Sequence, residues 1–70
     1  MSVNNIINNV LIESMRRELN YTNKELALAL GYKSESSVRD KLTGRRKWSV
    51  SDIQKLTEIF DVTYEDLYSE

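Results

Sequence analysis

The chain has 70 residues, a net charge of −1, no cysteine, no proline and two glycines. The absence of cysteine excludes disulfides and thiolate metal sites, and the absence of proline favours uninterrupted helices. A domain of this size buries so small a core that good helix packing or self-association has to support it.

Charge is distributed unevenly along the chain. Residues 33–47 carry six basic and two acidic side chains, whereas residues 48–70 carry one basic and six acidic ones. A molecule with that polarity approaches a polyanion with one end foremost, although a solvated charge run gives the same pattern.

Neither a membrane span nor an export signal is visible in the sequence. No apolar run approaches the roughly 20 residues of a membrane-spanning helix. The start MSVNNIINN also lacks a basic stretch followed by an apolar one. We therefore expect a cytoplasmic protein that does not contact a membrane.

The first predicted helix lies in the N-terminal part of the chain, where apolar residues follow a spacing of three and four. The stripe consists of Val3, Ile7, Val10, Leu11, Met15 and Leu19. Ile6 and Ile12 lie off this stripe and either widen the buried face or leave apolar surface for a partner. Core burial is the favoured interpretation.

Two short helices joined by a tight turn are predicted next. Thr22 and Glu25 have the spacing of a capping box, so a helix begins there. Leu26 and Leu30 share one face of it, and Gly31 follows as a residue that adopts a left-handed helix end without strain.

The second helix of the pair follows within a few residues. Val38 and Leu42 repeat the apolar spacing, and Gly44 ends the segment. The candidate N-caps of this helix are Ser34, Ser36 and Ser37.

Two further helices are predicted after the basic run. Their capping-box pairs are Ser49 with Asp52 and Thr63 with Asp66. The apolar stripe between them consists of Ile53, Leu56, Ile59 and Phe60. We predict that Trp48 packs between the loop and the helices, with base stacking as the less favoured alternative.

The segments TNKELALALG and VRDKLTGRRKWS resemble the lambda-repressor-like helix-turn-helix family, which includes the phage Cro and CI repressors. The resemblance covers roughly residues 10–68 and implies a single all-α DNA-binding domain over residues 1–70. It also implies five helices, with the helix-turn-helix at about residues 22–44. The sequence departs from the family pattern at Asn23, where glutamine is usual, at Lys41, where an apolar residue is common, and in a turn that is one residue longer.

In this fold class the second motif helix enters the major groove with its N-terminal part foremost. The candidate base-contacting residues are Glu35, Ser36, Ser37, Arg39 and Asp40. Arg39 is the best base reader, because a guanidinium bonds guanine O6 and N7 together. The alternatives are a phosphate contact or a salt bridge to Glu35. Either serine reads a base or caps the helix, and Glu35 and Asp40 either accept from a base or hold a cation.

Phosphate contacts are expected on both sides of that helix. At the start of the first motif helix, free amide groups and the positive dipole end favour an anion. The candidate phosphate-contacting residues are Asn23, Lys24, Lys33, Thr43, Arg45, Arg46 and Lys47.

A catalytic function is not expected. The chain has no histidine and no cysteine, and no acidic pair lies in an evident apolar cleft. We predict a non-enzyme without cofactor, metal or small-molecule ligand.

The favoured hypothesis is a phage or prophage repressor of the Cro type, because no sequence remains for a separate sensing domain. It would bind a palindromic operator in bacterial DNA as a possible homodimer. The candidate dimer surfaces are either Val62, Tyr64, Leu67 and Tyr68, or Ile6 and Ile7. The alternative is an antirepressor or antitoxin-like protein of the same fold that binds another protein.

Overall fold

The computed structural model describes residues 7–68, which fold into five α-helices. The helices are α1 (Asn9–Glu18), α2 (Asn23–Ala29), α3 (Glu35–Leu42), α4 (Val50–Phe60) and α5 (Tyr64–Leu67). The extended pairing within this range is a single antiparallel bridge between Ile7 and Tyr68. The all-helical fold class is therefore confirmed.

Four of the helices begin at the serine and threonine caps that the sequence predicts. The reciprocal capping boxes are Thr22 with Glu25, Ser49 with Asp52, and Thr63 with Asp66. At the start of α3 the Ser34 hydroxyl accepts a hydrogen bond from the backbone N–H of Ser36 at 3.2 Å. Ser34 is therefore the N-cap among the three serine candidates.

The first helix begins later than the sequence pattern predicts. The Asn8 side chain caps it by accepting from the backbone N–H of Leu11 at 3.1 Å. Immediately before the cap the chain is extended, because the backbone N–H of Asn8 donates to the carbonyl of Leu67 at 2.8 Å. Because of this pairing with Leu67, α1 begins only at Asn9.

The predicted apolar stripe of α1 is partly wrong. Val10 is 80% exposed and Leu19 is 50% exposed, whereas Ile12, which lies off that stripe, is fully buried. The preference for core burial of Ile12 is confirmed. Because residues 10–12 are all apolar, periodicity alone does not decide which side of the helix faces inward. Val3 and Ile6 lie outside the described residues.

Each of the five helices contributes residues from its inner face to one core. Its buried members are Ile12, Leu26, Ala27, Leu30, Val38, Trp48, Ile53, Leu56, Phe60 and Leu67. These side chains fill the centre with apolar groups from segments that are distant in sequence, as a close-packed small domain requires.

Helices α2 and α3 pack against each other, and α2 carries a small buried residue. Ala27 is buried, and its carbonyl accepts from the backbone N–H of Tyr32 at 2.8 Å. Gly31 turns the chain with a φ of +91°. Val38 is fully buried on the inner side of α3, whereas Ser36 and Arg39 are exposed.

Trp48 has the predicted packing role. Its side chain is buried in the core, and its Nε1 donates to Asn9 Oδ1 at 2.7 Å. The indole therefore joins the segment before α4 to the start of α1. A ring held in this way has no face available for base stacking.

Ile7 and Tyr68, one residue from each candidate dimer surface, are paired in the structure, whereas Ile6 lies outside the described residues. The bridge between Ile7 and Tyr68 places the N-terminal and C-terminal segments side by side. Leu67 is fully buried in the core, so its assignment to an interface surface is wrong. Tyr64 is exposed and Val62 is half-buried.

Candidate nucleic-acid interface

The outward part of α3 carries an ion pair between two of the predicted base-contacting residues. Arg39 Nη2 donates to Glu35 Oε2 at 2.8 Å, one helical turn away. The two side chains are 58% and 43% exposed, respectively. Solvent screens such a pair strongly, so separating it costs little and the guanidinium remains available to a stronger anion. Of the roles predicted for Arg39, the salt bridge is the one formed in this structure.

The two serines of α3 differ in their surroundings. Ser36 is exposed, and its hydroxyl is 2.8 Å from that of the N-cap Ser34. Ser37 is half-buried, and its backbone N–H donates to the carbonyl of Ser34 at 3.3 Å. The side chain of Ser36 is therefore the more accessible of the two.

Asp40 is half-buried, and its backbone supports the segment that follows α3. Its carbonyl accepts from the backbone N–H groups of Arg45 and Arg46, at 2.8 and 3.2 Å. The Thr43 hydroxyl donates to the same carbonyl at 3.2 Å. We call residues 43–47 the basic loop. Gly44 turns this loop back with a φ of +86°.

The side chains of the basic loop point away from the core. Thr43, Arg45, Arg46 and Lys47 are all exposed. Lys24 and Lys33 are exposed as well, at the start of α2 and in the turn before α3. The structure thus leaves these predicted phosphate contacts accessible.

One surface cavity of about 560 Å³ brings together predicted contact residues from three elements. Asn23 at the start of α2, Arg39 on α3 and Thr43 in the basic loop all line it. Asn23 Oδ1 is buried and has no hydrogen-bond partner within the described part of the chain. A buried oxygen in that state gains free energy when a donor reaches it.

The same cavity includes residues of α1 that the sequence prediction did not assign to the interface. Ser14 and Arg17 lie on its wall, and Arg17 donates to Glu13 at 3.2 Å. The spacing of Glu13 and Arg17 by one helical turn indicates the pair, but not the closeness of α1 to α3.

Lys41 is buried, unlike the other five basic residues between positions 33 and 47. Its ammonium group donates to Asp52 Oδ2, and it also donates to the Tyr32 hydroxyl at 2.5 Å. The Tyr32 hydroxyl in turn donates to Asp52 Oδ1 at 2.7 Å. Both charged residues are buried, at 6% and 3% exposure. The charge of Lys41 is therefore neutralised inside the protein rather than offered to a ligand.

The buried pair is held in its charged form. Burial by itself lowers the pKa of Lys41, but the hydrogen bonds to Asp52 and Tyr32 outweigh that effect and raise it. Burial likewise raises the pKa of Asp52, yet hydrogen bonds from Lys41, Tyr32 and Ser49 bring it below its usual value. Both shifts favour the ion pair at neutral pH.

These two shifts predict that stability has a plateau in pH and declines on both sides. The depressed pKa of Asp52 contributes stability above about pH 4, which is lost as pH falls further through the folded-state pKa. The raised pKa of Lys41 contributes stability below about pH 10.5, which is lost as pH rises through the folded-state pKa. Urea unfolding measured by circular dichroism from pH 2 to 11 checks both declines.

The double variant Lys41→Met/Asp52→Asn is the control for that measurement. Without the two titrating groups its decline above about pH 10 should be smaller than that of the parent protein. An identical pH profile for the two proteins would show that the pair does not link proton binding to folding.

Two kinds of feature, a membrane-spanning helix and a metal-binding cluster of side chains, are absent from residues 7–68. No helix there is long and apolar enough to cross a membrane. In the same part of the chain, no group of three or more acidic, cysteine or histidine side chains is arranged to hold a metal ion.

Comparison with known proteins gives one family match. A helix-turn-helix family model matches residues 12–67, which include α2, α3 and α4. Neither the curated proteins nor the solved structures give a match to this chain.

Proposed function

Because the chain belongs to the lambda-repressor-like helix-turn-helix family, whose members are DNA-binding transcription regulators, we propose that it is a Cro-like repressor of phage or prophage type. It would block transcription by occupying a palindromic operator in the bacterial cytoplasm or nucleoid. The family is one of DNA-binding regulatory domains and not of enzymes.

The observation that carries the proposal is the arrangement of contact residues around α3. Arg39, Asn23 and Thr43 line one surface cavity, and the exposed cations of the basic loop follow directly in the chain. The recognition helix of this motif reads base edges while the flanking segments hold the phosphates. The spatial grouping supports that division of roles.

We assign base reading to the outer face of α3. Arg39 would leave Glu35 and bond guanine O6 and N7, and Glu35 would then accept from a neighbouring cytosine or continue to orient Arg39. Ser36 reaches a base more readily than Ser37 because it is exposed. Asp40 acts through its carbonyl, which supports the basic loop, more than through its carboxylate.

Phosphate contacts belong to the residues on either side of that face. They are Asn23, Lys24, Lys33, Thr43, Arg45, Arg46 and Lys47. Lys41 is excluded from this set because it is buried against Asp52. The available cations are on exposed segments, where they can follow the DNA backbone and release its counterions.

A dimer would place two recognition helices about one DNA turn apart on a palindromic site. The surface proposed for this contact lies beside the Ile7–Tyr68 bridge and includes the exposed Tyr64 and the half-buried Val62. Analytical ultracentrifugation with and without operator DNA tests the stoichiometry.

Selection of binding sites from a random duplex library at near-physiological salt tests the proposal directly. We expect a palindrome, and we expect Arg39→Ala to relax the preference at one or two base pairs at a cost of about 1–3 kcal/mol. Arg45→Ala is the matched comparison, because loss of a phosphate contact weakens all sequences alike. Uniform weakening by both variants would refute the role of Arg39.

Failure of the parent protein to enrich any sequence would instead favour the antirepressor or antitoxin-like alternative. In that case the acidic side chains on the outer face of α3 would contact a protein.

A further inference from the structure

The cluster of Lys41, Asp52 and Tyr32 joins three elements that the proposed function uses. Tyr32 lies in the turn between α2 and α3, Lys41 on the recognition helix, and Asp52 in the first turn of α4. The three side chains contact one another through donated hydrogen bonds, and the Lys41 ammonium also lies 4.5 Å from the centre of the Tyr32 ring. The recognition helix is thus bonded directly to the element that follows the basic loop.

Both ends of the basic loop lead to this cluster. Lys41 precedes the loop by two residues, and Asp52 Oδ2 accepts from the backbone N–H of Ser49, two residues after the loop, at 2.9 Å. Trp48 lies between the last loop residue and Ser49 in the chain, and its ring centre is 5.7 Å from the Lys41 ammonium. The same carboxylate oxygen therefore ties the chain on both sides of residues 43–47.

The loop is further held against α3 by its own backbone. The carbonyl of Asp40 accepts from the N–H groups of Arg45 and Arg46. These bonds hold the loop backbone against α3, and the buried, charge-assisted hydrogen bond of the cluster fixes the distance between the end of α3 and the start of α4, where the loop begins and ends. The exposed ion pair between Arg39 and Glu35 imposes no comparable restraint.

Stability alone gives no reason for an ion pair at this place. Replacement of a buried pair by well-fitting neutral side chains is often neutral or stabilising, whereas its hydrogen bonds have fixed directions that apolar contacts lack. The Lys41 amine reaches two partners outside α3, the Tyr32 hydroxyl and the Asp52 carboxylate.

We propose that the Lys41–Asp52–Tyr32 cluster is a specificity-determining support that sets the position of the basic loop relative to the recognition helix. The inference rests on the proposed operator binding. When the loop cations are held at a fixed position relative to α3, the phosphate contacts and the base contacts form together on the correct sequence. When that position is not fixed, the loop still binds phosphates, but α3 does not have to match the bases.

The test compares the parent protein with Lys41→Met/Asp52→Asn, which removes both charges and retains side chains of similar length. The probes are the duplex selected by the parent protein and a scrambled duplex of equal length and composition. We expect the ratio of the two affinities to fall roughly tenfold, comparable to the loss of one base-pair contact. The salt dependence on the scrambled duplex should stay the same, because Lys41 contacts no phosphate.

Arg16→Met is the matched control. It removes a part-buried ion pair to Glu13, 2.9 Å long, from α1 and does not touch the basic loop. It should lower stability and leave the affinity ratio unchanged. The parent protein, the double variant and Arg16→Met are compared at a temperature where circular dichroism shows all three folded.

The remaining outcomes are distinct. An unchanged affinity ratio in the double variant overturns the inference, and so does a weaker salt dependence with equal loss on both duplexes, which would make Lys41 a phosphate contact. If the double variant does not fold, Tyr32→Phe decides, with an expected severalfold loss of the ratio and an unchanged ratio as the contrary result. Absence of any selected duplex for the parent protein refutes the proposed function itself.

Discussion

Asp52→Ala is expected to lower the free energy of unfolding by about 3–5 kcal/mol. The substitution leaves the Lys41 ammonium buried without its counter-charge, and it also removes the acceptor of the Tyr32 hydroxyl. A chain of 70 residues has a total stability of only about 4–10 kcal/mol. The variant should therefore be largely unfolded at moderate urea concentrations, as circular dichroism would measure.

Asp66→Ala is a control that the chain itself offers. Asp66 occupies the same capping-box position in α5 as Asp52 does in α4, but it is exposed, and its carboxylate caps the helix. Its removal should cost about 1 kcal/mol. Equal losses in the two variants would mean that the buried pair contributes nothing beyond the helix cap.

Asp52→Asn separates the charge from the cap within the same position. The amide oxygen still accepts from the backbone of Ser49, whereas the charge opposite Lys41 is lost. In combination with Lys41→Met the loss should be small, because no unpaired charge remains. The losses of stability in the single variants Asp52→Asn and Lys41→Met are therefore not additive, and a double-mutant cycle measures the coupling energy between the two residues.

The second large effect concerns DNA affinity. Replacement of Arg45, Arg46 and Lys47 by glutamine is expected to weaken binding to any duplex by roughly 10²–10³-fold, since about three charge-assisted contacts are lost. The parent protein should show a log-log salt slope of roughly −4 to −5 per subunit, and the variant a slope smaller in magnitude by about 2–3. Fluorescence anisotropy titrations at several salt concentrations give both quantities.

Lys55→Gln serves as the control for net charge. Lys55 lies on α4, where its amine donates to the carbonyl of Leu30 at 3.1 Å and so caps the end of α2. The substitution changes the net charge by one without altering the basic loop. A slope reduced by a full unit in this variant would show that the loop is not the particular site of phosphate contact.

The starts of α2, α3, α4 and α5 were predictable from the sequence because capping is local chemistry. A hydroxyl and a carboxylate three residues apart satisfy each other's backbone N–H groups wherever they occur, as Thr22 and Glu25 do. The burial of α1 was not predictable in the same way. Apolar residues at three successive positions allow two inward faces, and Asn8 and the bridge to Tyr68 decide where the helix begins.

The site was predictable to a lesser degree than the fold. The order of turn, serine-led helix and basic run indicates a recognition helix with cations after it, and those cations are exposed. Lys41 contributes to the net charge of residues 33–47 but not to the exposed cations, since its charge is paired internally. The surface cavity that is lined by residues of both α1 and α3 was also not predicted, because it depends on packing between helices.

The helical class, the capping motifs and the helix-turn-helix family follow from the sequence, because each depends on spacings along the chain. The tertiary structure alone decided which cations face outward and how the basic loop is tied to α3. Lys41 and Asp52 are 11 residues apart, and only the packing of α4 against the end of α3 brings them into contact. Periodicity within one helix carries no information about a partner on the next.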